Sequence, residues 1–529
     1  MLYIVKPQVP IKNEMLRSIG NSLSGDEPNF DCADDEATVM EPDQGNVLIH
    51  LISQLRPGAD LSRVVLPTFI LEPRSMLERI TNFMAHPELL LPIPRIEDPV
   101  QRFISVSAGS ETYMATDSIP RGVKKPLNPI LGETFSCYWQ FPDNTKGYYI
   151  SEQTSHHPPK SSYFYMIPEH YIRIDGCLKP RSKFLGNSAA SLMEGIAVLR
   201  FLNRGDSVKG ERYIVTQPNM YARGILFGKM KFELGDHSFV RCPELGLSAD
   251  IEFKTKGYFG GTYNLIGGTI KNEQTSEILY EISGSWSGEM KIKDTKTGKK
   301  EVLFNATKAR HTPPLVRPLE EQGERESPRL WLKTAQAIKD RNHELATDEK
   351  SKIEDMQRDE AARRIEVGVD WHPHLFRPVQ GGPGGLEEGL EDLDWILNAN
   401  INGPTPQSQV EQILAVAPIL PGQRKDDTKS VQERCNQSGS SPLHKITTLT
   451  QDNNLSITVG SESNDKNKPQ VFNSTHVDNK AEVRLQDTEL IEKQEPLFKF
   501  HQDMKKGLDT RQDSSVRGTD TDTSSLDEF

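Results

Sequence analysis

Gly147-Tyr-Tyr-Ile-Ser-Glu-Gln-Thr-Ser-His-His-Pro-Pro-Lys-Ser-Ser-Tyr-Phe-Tyr-Met166 is the stretch that decides how this chain folds. Its two ends, Gly147 to Ile150 and Tyr163 to Met166, are short aromatic and β-branched runs that read as strands. Between them Pro158 and Pro159 remove two backbone donors and fix φ, so Glu152 to Pro159 reads as an irregular strand end, not a ladder interior. In a regular strand His156 and His157 would point to opposite faces; at such an end both imidazoles can converge.

Outward from this stretch the same grammar repeats. Tyr213 to Thr216, Ile225 to Phe227, Ala249 to Phe253 and Ile278 to Ile282 are further strand-like runs separated by Gly, Pro, Asn and Asp. From Asn128 to about Ala309 no helices alternate with them, which predicts an antiparallel meander, hence a barrel or sandwich. A large barrel can enclose an apolar ligand.

Helical spacing flanks this region. Leu48, Leu51, Ile52 and Leu55 recur on one face of a short amphipathic helix with Asn46 as N-cap. Pro67 forbids a continuous helix in the extended strap Leu61 to Ile70. Met76, Leu77, Ile80 and Met84 predict a structural helix over 75–90. A charged helical stretch from about Pro328 to Val367 ends at Gly368, and Trp371 to Phe376 reads as packed back onto the body. The predicted organisation is a disordered acidic arm over 1–45, a folded domain over 46–420 with lid and strap at 46–72, and a disordered polar tail over 421–529. Glu489 to Phe500 stands out in that tail as a docking motif.

Net charge is −12 over 529 residues, which argues against nucleic acid and against permanent attachment to anionic membranes, so any anion site is local. Five cysteines, Cys32, Cys137, Cys177, Cys242 and Cys435, form no CxxC pair and suit a reducing compartment. No apolar run approaches the roughly 20 residues that span a bilayer, and charges interrupt Met1 to Gly20, so a cytosolic protein is expected.

The paired histidines alone allow metal ligation, acid/base work, hydrogen bonding to a phosphate, or no role beyond the surface. No HExxH completes a metal set, and no GxSxG supplies a nucleophile. Lys350, Glu354 and Arg358 repeat at i, i+4, i+8 and share one helix face, as a salt-bridge ladder or as part of a site. Lys124-Lys-Pro-Leu-Asn-Pro129 holds a lysine and an amide donor on a stiff turn.

Glu152 to Pro159 matches the signature of the oxysterol-binding-protein-related proteins, and Lys124 to Phe135 (KKPLNPILGETF) is similar to their flanking motif. The resemblance runs from about Asn46 to Leu420, through Gly224 to Gly228, Asp250 to Gly257 and Arg341 to His343. Leu61 to Met76 (LSRVVLPTFILEPRSM) resembles the lid and following strand of the short fungal members that exchange phosphatidylserine for phosphatidylinositol 4-phosphate.

That resemblance implies a mainly β fold with added helices: a large, near-complete antiparallel β-barrel enclosing a lipid tunnel, with an N-terminal helical lid and C-terminal helices. It implies non-enzymatic lipid exchange between endoplasmic reticulum and plasma membrane at contact sites, through transient contact with anionic membranes. No cofactor, metal or nucleic acid is expected; sterol is the alternative cargo, and a phosphoinositide-sensing scaffold the alternative role. Carried over by position, His156, His157 and Arg358 would hold the ring phosphate, and Lys350 and Glu354 would contact inositol. Lys125 and Asn128 would bind the phosphodiester of either lipid. Leu66, Thr68 and Ser182 would recognise the serine headgroup, and Leu48, Leu51, Ile52 and Leu55 would line the lid. No large module known from long relatives is expected before Asn46. Relatives carry a Trp-rich helix between Phe103 and Val123, where this chain is polar and predicts weak helicity.

Overall fold

The computed structural model describes residues 68–112, 125–206, 209–225, 231–256, 261–309 and 311–423. The acidic arm, the lid residues Leu48, Leu51, Ile52 and Leu55, Leu66 of the strap, and the tail beyond Gln423 lie outside these residues.

The chain enters through β1 (Leu71–Ser75), which pairs in parallel with β2 (Lys125–Leu127). One thirteen-stranded sheet follows: β3 (Thr134–Gln140), β4 (Lys146–His156), β5 (Pro159–Ile167), β6 (Ile172–Phe184), β7 (Ser188–Asp206), β8 (Gly210–Val215) and β9 (Asn219–Arg223). It continues through β10 (Lys231–Cys242), β11 (Leu247–Lys254), β12 (Leu265–Asn272), β13 (Ile278–Ser285), β14 (Glu289–Asp294) and β15 (Lys300–Asn305). Neighbours pair antiparallel, so the predicted meander is what forms. The open edge of β3 is covered by chain arriving after β15: Tyr138 and Leu315 exchange backbone hydrogen bonds at 3.0 and 2.7 Å, and Trp139 Nε1 donates to the Thr312 carbonyl at 3.0 Å.

The apolar runs around the histidine pair are continuous because both faces of these strands are covered. Tyr149, Tyr163 and Tyr165 point inward with Trp139, Phe201 and Tyr213. Tyr148, Ile150, Phe164 and Met166 point outward beneath Phe376, Leu397, Ile413 and Ile419. A one-residue slip of β4 against β5 would exchange these two sets between the faces, so the fit of each set to its own face specifies the register.

Helices lie before and after the sheet. The helix predicted over 75–90 forms in pieces: α1 (Met76–Arg79), capped by Ser75 in a capping box with Glu78, then 3₁₀ turns Ile80–Met84 and Pro87–Leu89. Pro87 interrupts the ladder. The first part of the segment where weak helicity was expected lies in the 14-residue helix α2 (Pro99–Thr112), and its remainder, 113–123, lies outside the described residues. Asp98 accepts from Val100 and Gln101 at its start, Phe103, Ile104 and Val106 are buried, and Arg102 makes paired hydrogen bonds of 2.7 and 2.6 Å to buried Glu211. Tertiary burial overrides weak propensity here.

After the sheet come α3 (Ser327–Leu330), α4 (Leu332–Lys339) and α5 (His343–Val367). The Asn342 side chain caps α5, and Gly368 ends it at φ 66°, as its sequence predicts. A short ladder of β16 (Phe376–Pro378) and β17 (Trp395–Leu397) and helix α6 (Pro406–Val416) then pack on the outer face of β4 and β5. No described helix is long and apolar enough to cross a membrane.

Candidate anion-binding site

The two prolines end β4 at His156 and begin β5 at Pro159, leaving a two-residue turn with a cis His157–Pro158 peptide. The imidazoles do converge: their ring centroids lie 4.6 Å apart, edge to face. His156 is half-buried and His157 exposed. His156 Nδ1 donates to the carbonyl of Pro129 at 3.1 Å. That bond fixes the ring and leaves Nε2 to meet a ligand. Burial, and next the neighbouring His157, push the His156 pKa down to about 4.

Pro129 belongs to a loop, 128–133, in which nearly every backbone group has a partner. Ile130 N donates to Glu133 Oε2 at 3.0 Å, Leu131 N to Gln357 Oε1 at 2.8 Å, and Gly132 N to the Gln153 carbonyl at 3.0 Å. Glu133 is fully buried, and its carboxylate also accepts from Ser75 Oγ, from Ser327 Oγ at 2.6 Å and from Trp331 Nε1 at 2.9 Å. One carboxylate therefore ties β1, the loop and α3 together. Desolvation pushes its pKa up, against those donors. Gly132 sits at φ +74°, and a Cβ there would overlap the Trp371 indole. This position needs glycine for both reasons.

The first residue of the signature has a different task from the histidines. Buried Glu152 accepts from the backbone of His374 and Leu375, each at 2.8 Å, and fastens the segment after α5 to β4. Burial raises its pKa to about 7 while those donors lower it.

Gln357 brings α5 to the same loop. Thr347, Lys350, Glu354 and Gln357 follow helical spacing on one face, so the face that reaches Leu131 carries Lys350 and Glu354. Lys350 and Glu354 are half-buried and paired with each other, whereas exposed Arg358 is paired with Asp355. Lys125 opens β2 opposite Leu71, half-buried, and Asn128 is exposed at the head of the loop. The structure thus gathers Lys125, Asn128, His156, His157, Lys350 and Glu354 around one loop, with Arg358 one turn beyond Glu354.

Of the residues assigned to the serine headgroup, Thr68 and Ser182 are described, and the Thr68 hydroxyl lies 3.4 Å from that of Thr347 on the Lys350 and Glu354 face of α5. Thr68 is buried, and its hydroxyl donates to the His343 carbonyl at 3.1 Å, at the start of α5. Ser182 lies four residues beyond Leu178, the partner of Ser161, at the end of the sheet that carries the β4–β5 turn. No group of three or more His, Cys, Asp or Glu among the described residues could hold a metal ion. Cys137, Cys177 and Cys242 are buried with thiols pushed up by desolvation.

The sequence matches the oxysterol-binding protein family model over residues 50–339. The chain belongs to the oxysterol-binding protein family. Oxysterol-binding protein-like protein OBPa of Candida albicans is 53% identical over 385 residues, covering 72% of this chain and 86% of that protein. Oxysterol-binding protein homolog 7 of Saccharomyces cerevisiae is 53% identical over 384 residues, covering 72% and 85%. Homolog 6 of the same yeast is 51% identical over 387 residues, covering 72% and 83%. The fold resembles the crystal structure of the Osh1 ORD domain in complex with ergosterol, with TM-score 0.56, 22% identity, and coverage of 70% of this chain and 89% of that one. It also resembles the Saccharomyces cerevisiae Osh3 ORD in complex with PI(4)P, with TM-score 0.51, 22% identity, and coverage of 71% and 94%.

In this family member, sequence reading missed two residues that build the site, Glu133 and Gln357, and took Pro129 only as a stiffener of the turn, not as the carbonyl that His156 meets. Gln357 was open to detection, since it stands seven residues after Lys350 on the same helix face. Glu133 carried no such signal, because its partners come from positions 75, 327 and 331.

Proposed function

We propose that this chain is a lipid-transfer protein that exchanges phosphatidylserine for phosphatidylinositol 4-phosphate between endoplasmic reticulum and plasma membrane. It works from the cytosol and touches anionic membranes transiently; no chemical step, cofactor or metal takes part. The observation that carries this reading is the 128–133 loop, which joins His156 on one side to the Lys350 and Glu354 face of α5 on the other.

A ring phosphate near −2 charge needs several donors, and each close charge pair is worth up to about 4 kcal/mol at an effective dielectric near 20. In this reading His156, His157 and Arg358 hold that phosphate, while Lys350 and Glu354 contact inositol. Lys125 and Asn128 bind the phosphodiester of both lipids; Leu66, Thr68 and Ser182 meet the serine headgroup. Arg358 has to leave Asp355, an exposed pair of small worth.

Two acyl chains carry roughly 30 methylenes, whose exposure costs on the order of 25 kcal/mol at about 0.8 each. Residues 46–420 are the lipid-binding domain: the sheet, closed through the chain that covers β3, forms a near-complete barrel around those chains. Leu48, Leu51, Ile52 and Leu55 are its lid. The likeness to structures holding ergosterol and PI(4)P supports one tunnel that accepts lipid.

The test uses phosphatidylserine donor vesicles and phosphatidylinositol 4-phosphate acceptor vesicles, following both lipids. His156→Ala/His157→Ala is expected to lose phosphatidylinositol 4-phosphate transfer and to keep phosphatidylserine extraction. Equal loss of both lipids, in a variant that unfolds at the wild-type temperature, overturns the assignment. Donors carrying sterol in place of phosphatidylserine examine the alternative cargo.

A further inference from the structure

Antiparallel pairing sends the ends of alternate strands to one end of the sheet. The β4–β5 turn, Phe184 at the end of β6, Arg223 at the end of β9, Lys231 at the start of β10 and Lys254 at the end of β11 therefore share that end. Most charges there are paired: Arg181 with Glu194, Arg223 with Glu233 and Lys254 with Glu252. Two lysines are held differently. Lys231 Nζ lies 4.4 Å and Lys256 Nζ 4.2 Å from the centroid of the same Tyr263 ring.

This is a fixed arrangement. Buried Glu233 accepts from the Lys256 backbone N–H at 3.0 Å and pairs with Arg223 at 3.0 Å, while Arg223 also donates to the Lys256 carbonyl at 3.2 Å. The backbone beneath the two ammonium groups is thereby locked. Among the described residues no carboxylate pairs with Lys231, Lys256 or Lys183. At the same end, Leu185 is 47% exposed in the β6–β7 turn. In a chain of net charge −12, two ammonium groups gathered on one aromatic ring, at the same sheet end as an exposed leucine, form a local exception.

Lys231 and Lys256 stand apart from the anion site, whereas Lys183 on β6 is two strand steps from β4. From β4 to β11 along this end are six strand steps, roughly 29 Å along the sheet at about 4.8 Å each. That exceeds the screening length of about 8 Å at physiological salt, so Lys231 and Lys256 contribute little to a headgroup held at His156.

We propose that Lys231, Tyr263 and Lys256, with Lys183 and Leu185, form a docking face for the surface of an anionic bilayer. Charge complementarity selects the occupant: ammonium groups engage lipid phosphates and carboxylates, Tyr263 sits at headgroup depth, and Leu185 enters the apolar boundary. The face sets where the molecule touches the membrane; it rests on the lipid-transfer reading only for its purpose.

Co-sedimentation with vesicles of phosphatidylcholine containing phosphatidylserine, against phosphatidylcholine alone, tests it. Lys231→Glu/Lys256→Glu is expected to weaken anionic-vesicle binding at least roughly thirtyfold, and each Lys→Gln single variant roughly fivefold. The loss shrinks as salt rises. Binding of a short-chain, water-soluble phosphatidylinositol 4-phosphate, and the unfolding temperature, are expected to stay at wild-type values. Unchanged anionic-vesicle binding in the double variant overturns the proposal, as does an equal loss on neutral vesicles. His156→Ala/His157→Ala separates the two readings: its docking is retained here, whereas failure of the soluble lipid to bind even the wild type counts against the anion site alone.

Discussion

The Nδ1–H of His156 donates to the carbonyl oxygen of Pro129 at 3.1 Å, so the neutral ring carries its lone pair on Nε2. A neutral His156 thus offers a phosphate dianion an acceptor where a donor is needed. With its pKa pushed down to about 4 the ligand-free ring is neutral at pH 7, and a bound dianion favours the protonated form. Phosphatidylinositol 4-phosphate binding is expected to take up a proton. Calorimetry at pH 7.5 in buffers of different ionisation enthalpy should show it, and affinity should fall with rising pH by up to about tenfold per unit. Phosphatidylserine binding should show neither effect.

Glu133 accepts from two hydroxyls, an indole and a backbone amide inside the core. Glu133→Ala strands those donors, each at about 1–3 kcal/mol, and is expected to lower stability by several kcal/mol in urea unfolding. Glu133→Gln keeps the shape and one acceptor oxygen and should lose less. Because the loop carries Pro129, both variants should also weaken headgroup binding.

Glu152 has its pKa raised by burial from 4.5 to about 7. Between those values the folded state keeps a proton that the unfolded chain has released. The stability it contributes is present at pH 4.5 and is lost as pH rises through about 7. Unfolding midpoints of wild type and Glu152→Gln, compared from pH 5 to 8, should diverge: the wild type declines more steeply with rising pH.

Gly132→Ala meets two penalties, the left-handed φ of +74° and the Trp371 indole. A destabilisation of about 2–4 kcal/mol is expected. Trp371→Ala removes the steric half only, so the double variant should be less destabilised than the sum of the single changes, measured by a double-mutant cycle.

Parts of this architecture were legible because their cause is local. Aromatic runs between turn residues announced β4 and β5, the two prolines announced the break at His156, and Gly368 announced the end of α5. The spacing of Lys350 and Glu354 placed them on one helix face. The polar segment at α2 was illegible for the opposite reason: its helix rests on Arg102 meeting Glu211, 109 residues away.

The strand grammar, the paired histidines and the family are written in residues adjacent along the chain. Tertiary structure alone decided which nitrogen of His156 is anchored, that Glu133 and Glu152 are buried supports, that Gln357 joins α5 to the loop, and that Lys231 and Lys256 share Tyr263. Those relations depend on contacts between residues far apart in the chain, and neither periodicity nor composition records them.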